Sequence, residues 1–142
     1  VEERMRGIVR RVIGATAILV AGHPASAAEH VVVIQNYAFE PNMLNIAPGD
    51  SVRFVPAQPG HNAQSIAGML PTGAEPIAVP FGVEPVVTFI VEGIYGYKCT
   101  PHYGMGMVGI IEVGAPVNES AAKAVTHPGL AADVFTELLG SH

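Results

Sequence analysis

The chain has 142 residues, 49% hydrophobic and 13% charged, with a formal net charge of -5. That length suits one domain, while low charge with 16 Gly and 12 Pro excludes a coiled coil, and abundant Val, Ile and Leu exclude disorder. The acidic balance argues against a nucleic-acid partner, which calls for a basic stripe, and the single cysteine, Cys99, forbids an intramolecular disulfide.

Residues 1–27 read as a secretory signal peptide. Arg6, Arg10 and Arg11 form a basic start, Val12 to Gly22 an apolar run, and Ala25-Ser26-Ala27 the small residues a signal peptidase accepts. Arg10-Arg11 also satisfies the bare pair of a twin-arginine signal. Eleven apolar residues make about 16 Å of helix against about 30 Å of hydrocarbon core, so no membrane anchor is expected. Removal of residues 1–27 leaves a domain over 28–142, with Arg53, Lys98 and Lys123 against ten acidic residues, a net charge of −7. Export implies an oxidising compartment, where an unpaired thiol needs a job such as metal ligation.

The mature chain reads as short strands. His30–Asn36 and Met43–Ala47 are β-branched or apolar runs, and Pro48-Gly49-Asp50 is a type II turn. Ser51–Val55 alternates, which puts Val52 and Phe54 on one face. A loop over 56–60 precedes Gly60-His61-Asn62, which opens a further strand. Residues 68–85, punctuated by Gly and Pro, form a long excursion with one short helical turn. Val86–Val91, Ile94–Cys99 and Met107–Val113 complete the strands. The pattern predicts an all-β, antiparallel two-sheet sandwich. The tail over about 118–140 is helical: one helix starts with Asn118 as N-cap, and a second follows Pro128. In that second helix Leu130, Val134 and Leu138, widened by Phe135 and Leu139, form a core-facing stripe that Gly140 ends.

Chemistry concentrates in Tyr97 to Met107. Cys99 closes a strand, His102 follows three residues later, and Met107 opens the next strand, so one hairpin loop can aim a thiolate, an imidazole and a thioether at one point. His61 supplies a second imidazole. Two His and one Cys in a plane with a long axial Met is a blue-copper electron-transfer set. From spacing alone, zinc and a reactive Cys99–His102 pair remain alternatives to copper.

Gly60-His61-Asn62, Gly68-Met69-Leu70-Pro71-Thr72-Gly73-Ala74-Glu75 and Lys98 through Gly109 resemble the pseudoazurins, a family of bacterial cupredoxins; plastocyanins share the spacings around the cysteine. The resemblance runs from about Glu29 through the tail. It implies a cupredoxin Greek-key β-sandwich with two short C-terminal helices and one type 1 copper ion per chain. It also implies His61, Cys99, His102 and Met107 as metal ligands, with Met105 a surface residue. The implied function is a periplasmic one-electron carrier, not an enzyme, with a copper chaperone or storage protein as the rival.

The resemblance further implies that the backbone N–H of Asn62 bonds the cysteine sulfur, whereas Pro101 has no N–H to give. An apolar face of Pro101, His102, Gly104, Met105, Met69, Leu70 and Pro71 is expected around the electron exit at His102. Expected partners are copper nitrite reductase or a c-type cytochrome, docking near Pro101, His102 and Met105 onto a monomer. The family's lysine rim is reduced to Lys98, since Pro59, Ala67, Ala78 and Pro80 stand where lysine is common. This weakens steering toward acidic partners. At the mature start, Ala28-Glu29-His30 offers a second way to hold Cu(II), through an amine, two amides and an imidazole. His23, His127 and His142 receive no role.

Overall fold

The computed structural model describes residues 17–22 and 25–140. Among them nine strands form: β1 (Glu29–Gln35), β2 (Ala38–Glu40), β3 (Met43–Ile46), β4 (Ser51–Pro56), β5 (Ala63–Ser65), β6 (Ala78–Val79), β7 (Val86–Thr88), β8 (Gly93–Lys98) and β9 (Val108–Val113). They make two sheets, ordered β2-β1-β4-β7 and β3-β9-β8-β5-β6. The sandwich is mixed, not antiparallel throughout. β1 pairs in parallel with β4, and β3 in parallel with β9. Strand direction within a sheet follows from crossings between sheets. β3 crosses away, and β4 returns beside β1 running the same way.

Alternation sorts the side chains. Val32, Ile34, Val52 and Phe54 face inward with Phe39, Tyr95, Tyr97, Cys99 and Met107, forming one buried cluster between the sheets. Val52 and Phe54 thus share a face as their spacing predicts. Ile94, Val108 and Ile110 point out of the other side of the five-stranded sheet. There they meet Ala122, Ala131, Phe135, Leu138 and Leu139 from two helices, α1 (Glu119–Lys123) and α2 (Leu130–Leu139). Gly109 lies opposite Tyr97 in register, and a Cβ there would come within 2.6 Å of the phenol.

Several local expectations change. Residues 68–85 contain turns and the short β6 but no helical turn, because Pro and Gly recur too often to close one. The strand predicted over Val86–Val91 stops at Thr88, and Ile90 is exposed. Asn118 occupies the N-cap position, yet its side chain caps nothing. It accepts from Ile94 N–H at 2.6 Å and donates to Ile94 O at 2.9 Å, stitching the tail to β8. In α2 the buried stripe runs through Ala131, Phe135, Leu138 and Leu139, while Leu130 is exposed. The stripe packs on its own sheet, but it is rotated by one position. No helix among the described residues is long and apolar enough to cross a membrane.

Candidate metal centre

The loop joining β8 to β9 is held by its own backbone. Cys99 is still extended (φ -85°, ψ 121°) and donates its N–H to Met107 O at 2.9 Å. Thr100–Met105 then winds as 3₁₀ turns, with Pro101 in the first turn and a kink at His102 (φ -120°, ψ 19°). Pro suits such a start because its fixed φ fits and its missing N–H would have had no partner there. His102 N–H donates to Cys99 O, and Met107 N–H to His102 O, both at 3.2 Å. Gly106 leaves the turn at φ 85°, a conformation that favours glycine.

His61 arrives from the loop between β4 and β5. A polar clasp joins the two loops: Asn62 Oδ1 accepts from Thr100 N–H at 2.7 Å, Asn62 Nδ2 donates to Thr100 Oγ1 at 3.0 Å, and Thr100 Oγ1 donates to Gln64 at 3.1 Å. Residues 38 apart in the chain are thereby fixed side by side.

The donor atoms converge. His61 Nδ1 and His102 Nδ1 lie 3.1 Å apart, and Cys99 Sγ is 3.8 Å from the first and 3.4 Å from the second. Donors each about 2.0–2.3 Å from a shared ion, at an open angle, stand about 3–4 Å from one another. The triangle therefore fits one small cation. Met107 is fully buried in the same cluster as Cys99, His61 is 5% exposed, and His102 is half-buried.

The electrostatics suit ligation. Burial, then the charge of His102, pushes the His61 pKa down, which leaves a neutral imidazole with a free lone pair. Burial pushes the Cys99 thiol up, opposed by N–H groups of Asn62 and His102. A thiol so placed ionises when a cation sits beside it. The expected Asn62 donor is present.

Tyr37 escaped the sequence reading. Asn36 and Tyr37 both have positive φ (54° and 55°), making a two-residue hairpin between β1 and β2. Tyr37 thereby presents its ring edge-on to His61 and His102, with centroids 5.3 and 4.8 Å away. Asn at the first turn position was the available signal. His127, given no role, hydrogen-bonds Tyr103 and packs on Phe135 at 4.2 Å; His23 and His142 lie outside the described residues. Of the expected apolar face, Pro101, Gly104 and Met105 are exposed and Leu70 is half-buried. Met69 and Pro71 are buried instead, Met69 against Gly96 and Pro71 against Gly93. Pro59, Ala67, Ala78 and Pro80 are exposed, and Lys98 Nζ sits 4.7 Å from the centre of the Tyr103 ring.

Residues 27–114 match the family of copper binding proteins described as plastocyanin/azurin. Pseudoazurin of Methylorubrum extorquens is 42% identical over 130 residues, covering 84% of this chain and 88% of its own. The chain belongs to the pseudoazurins. Pseudoazurin of Paracoccus pantotrophus is 40% identical, with 80% of this chain and 83% of the other covered. The crystal structure of native pseudoazurin from Hyphomicrobium denitrificans superposes with a TM-score of 0.76 at 36% identity, covering 80% and 98% of the two chains. The cupredoxin sandwich expected from the motifs is thus the fold observed. Pseudoazurins are copper-binding electron-transfer proteins and not enzymes, and copper is the cofactor of this chain.

Proposed function

We propose that residues 28–142 form an exported periplasmic carrier of single electrons, released from a signal peptide over residues 1–27. In this reading His61, Cys99 and His102 are the three strong ligands and Met107 is the weak axial one. The convergence of two imidazole nitrogens and one sulfur within 4.8 Å of one another carries the proposal. A copper ion held there supplies the redox change, alternating between Cu(I) and Cu(II).

The residues do the rest. Cys99 and Met107 offer soft sulfur and the histidines borderline nitrogen, a set acceptable to both oxidation states. Both sulfur ligands come from the ends of packed strands, so the frame resists rearrangement when charge changes. N–H groups from Asn62 and His102 withdraw charge from the Cys99 sulfur, which favours the reduced state. Burial of His61, Cys99 and Met107 excludes water and opposes the ligand exchange that a copper chaperone needs. Only His102 among the four combines ligation with an exposed edge, which makes it the electron exit.

Pro101 and Met105 beside it offer a small apolar contact, suited to a short-lived complex. The partner is a redox protein, copper nitrite reductase or a c-type cytochrome. With one lysine near this face, a partner with a neutral or basic docking surface is favoured. Electron-transfer rates with an acidic nitrite reductase are then nearly flat as salt rises; a steep fall contradicts this choice. The ligand assignment is tested by the visible spectrum of copper-loaded protein beside Cys99→Ser. An intense thiolate-to-copper band present in the first and lost in the second is expected, and a colourless, folded, copper-loaded wild type refutes it.

A further inference from the structure

Among the described residues, hydrogen bonding to the sheets begins at Ala28. Its carbonyl accepts from Ser51 N–H at 2.9 Å, and its nitrogen donates to Asp50 Oδ1 at 2.9 Å. Residues 25–27 just before it are exposed and in no regular element. Asp50 is 7% exposed, and its other oxygen accepts from His30 Nε2 at 2.9 Å and Ala47 N–H at 3.1 Å. The bonds from His30, Ala28 and Ala47 hold its carboxyl at about 2, so it is ionised at every working pH. The Ala28 nitrogen is committed to that carboxylate, which leaves the Ala28-Glu29-His30 copper clamp without its amine in this arrangement.

We infer that hydrolysis of the Ala27–Ala28 peptide bond turns the Ala28 nitrogen into a structural ammonium that pairs with the Asp50 carboxylate, making signal cleavage a maturation step of the fold. Water is the co-reactant: its oxygen leaves with Ala27 as a carboxylate, and its protons go to the new amine. An amide at this point offers one neutral donor. An ammonium offers three donors and a full charge, and charge-assisted bonds are about twice as strong as neutral ones. The groups facing the new amine are Asp50 and His30, with the Glu29–Arg53 ion pair alongside, its contact 2.9 Å long. The inference rests on the export reading, and mapping the N-terminus tests that reading apart from the ion pair.

The full chain is exported in a bacterial host, and the periplasmic protein is analysed by intact mass. It is expected to begin at Ala28; any other start overturns the inference. The α-amine, ordinarily titrating at about 7.7–8.0, is expected to lie about one unit higher. It should then acetylate about ten-fold more slowly at neutral pH than in Asp50→Asn, and equal rates overturn the ion pair. Should Asp50→Asn fail to fold, transamination of the wild-type α-amine to a ketone, which spares Lys98 and Lys123, gives the second measurement. A melting temperature lower by about 3–6 °C is expected, and an unchanged one overturns the pairing. Uptake of a second cupric ion that this transamination abolishes would likewise overturn it, in favour of the copper clamp.

Discussion

The two sheets of the sandwich are covered differently. In the five-stranded sheet β8 and β9 are buried along almost their whole length, one face against the opposite sheet and the other against α1 and α2. Among the described residues the four-stranded sheet is covered on one face only, and Val31 and Val86 look into solvent at 46% and 45% exposure. Cys99 and Met107 flank the doubly covered strands. From the open sheet come Tyr37, an edge-on contact to the two histidines, and the β4 end of the loop that carries His61. Chemistry that depends on fixed positions is built where the backbone has least freedom, and shielding is left to the freer sheet.

This contrast can be broken by substitution. The largest expected loss is from Phe135→Ala, which removes the ring at the centre of the helical cover and should cost about 3–5 kcal/mol in denaturant unfolding. Gly109→Ala pushes a methyl group into the Tyr97 ring between the sheets, and should cost about 1–3 kcal/mol by the same measurement. On the open sheet the sensitive point is Asp50. Its carboxyl titrates at about 2 in the folded state against an ordinary 3.8, so the stability it lends is complete above the ordinary value and is lost as pH falls toward 2. Asp50→Asn should therefore flatten the acid side of a melting-temperature profile between those values. The smallest effect is expected from Val31→Ala on the solvent face, within about 0.5 kcal/mol. A Val31 penalty rivalling that of Phe135 would mean that the outer face is covered after all.

Legibility followed the range of the interactions. The candidate metal loop was readable because Cys99, His102 and Met107 are neighbours in the chain, and Gly60-His61-Asn62 carries its own motif. Most strand positions were readable from alternation and turn residues, but the short β2 and β6 were not. Parallel pairing was not, since it depends on how often the chain crosses between sheets. Asn118 has the composition of a cap, but the nearby backbone of Ile94 competes for its side chain and wins. Leu130 falls on the apolar period of α2, yet the helix is rotated so that Ala131 faces the sheet; a small residue is what close approach requires there. Met69 and Pro71 look like surface residues in a Gly-rich loop until Gly96 and Gly93 open space for them in the sheet.

The tail touches the metal loop as well as the sheet. Tyr103 and His127 share a hydrogen bond, and Gly129 lies so close to the carbonyl of Gly104 that no side chain would fit between them. The last helix is thus a buttress for the proposed redox centre, although it starts 31 residues after Cys99. Shortening the chain at that end would be felt first as a drift in colour and potential, before the sandwich itself gave way.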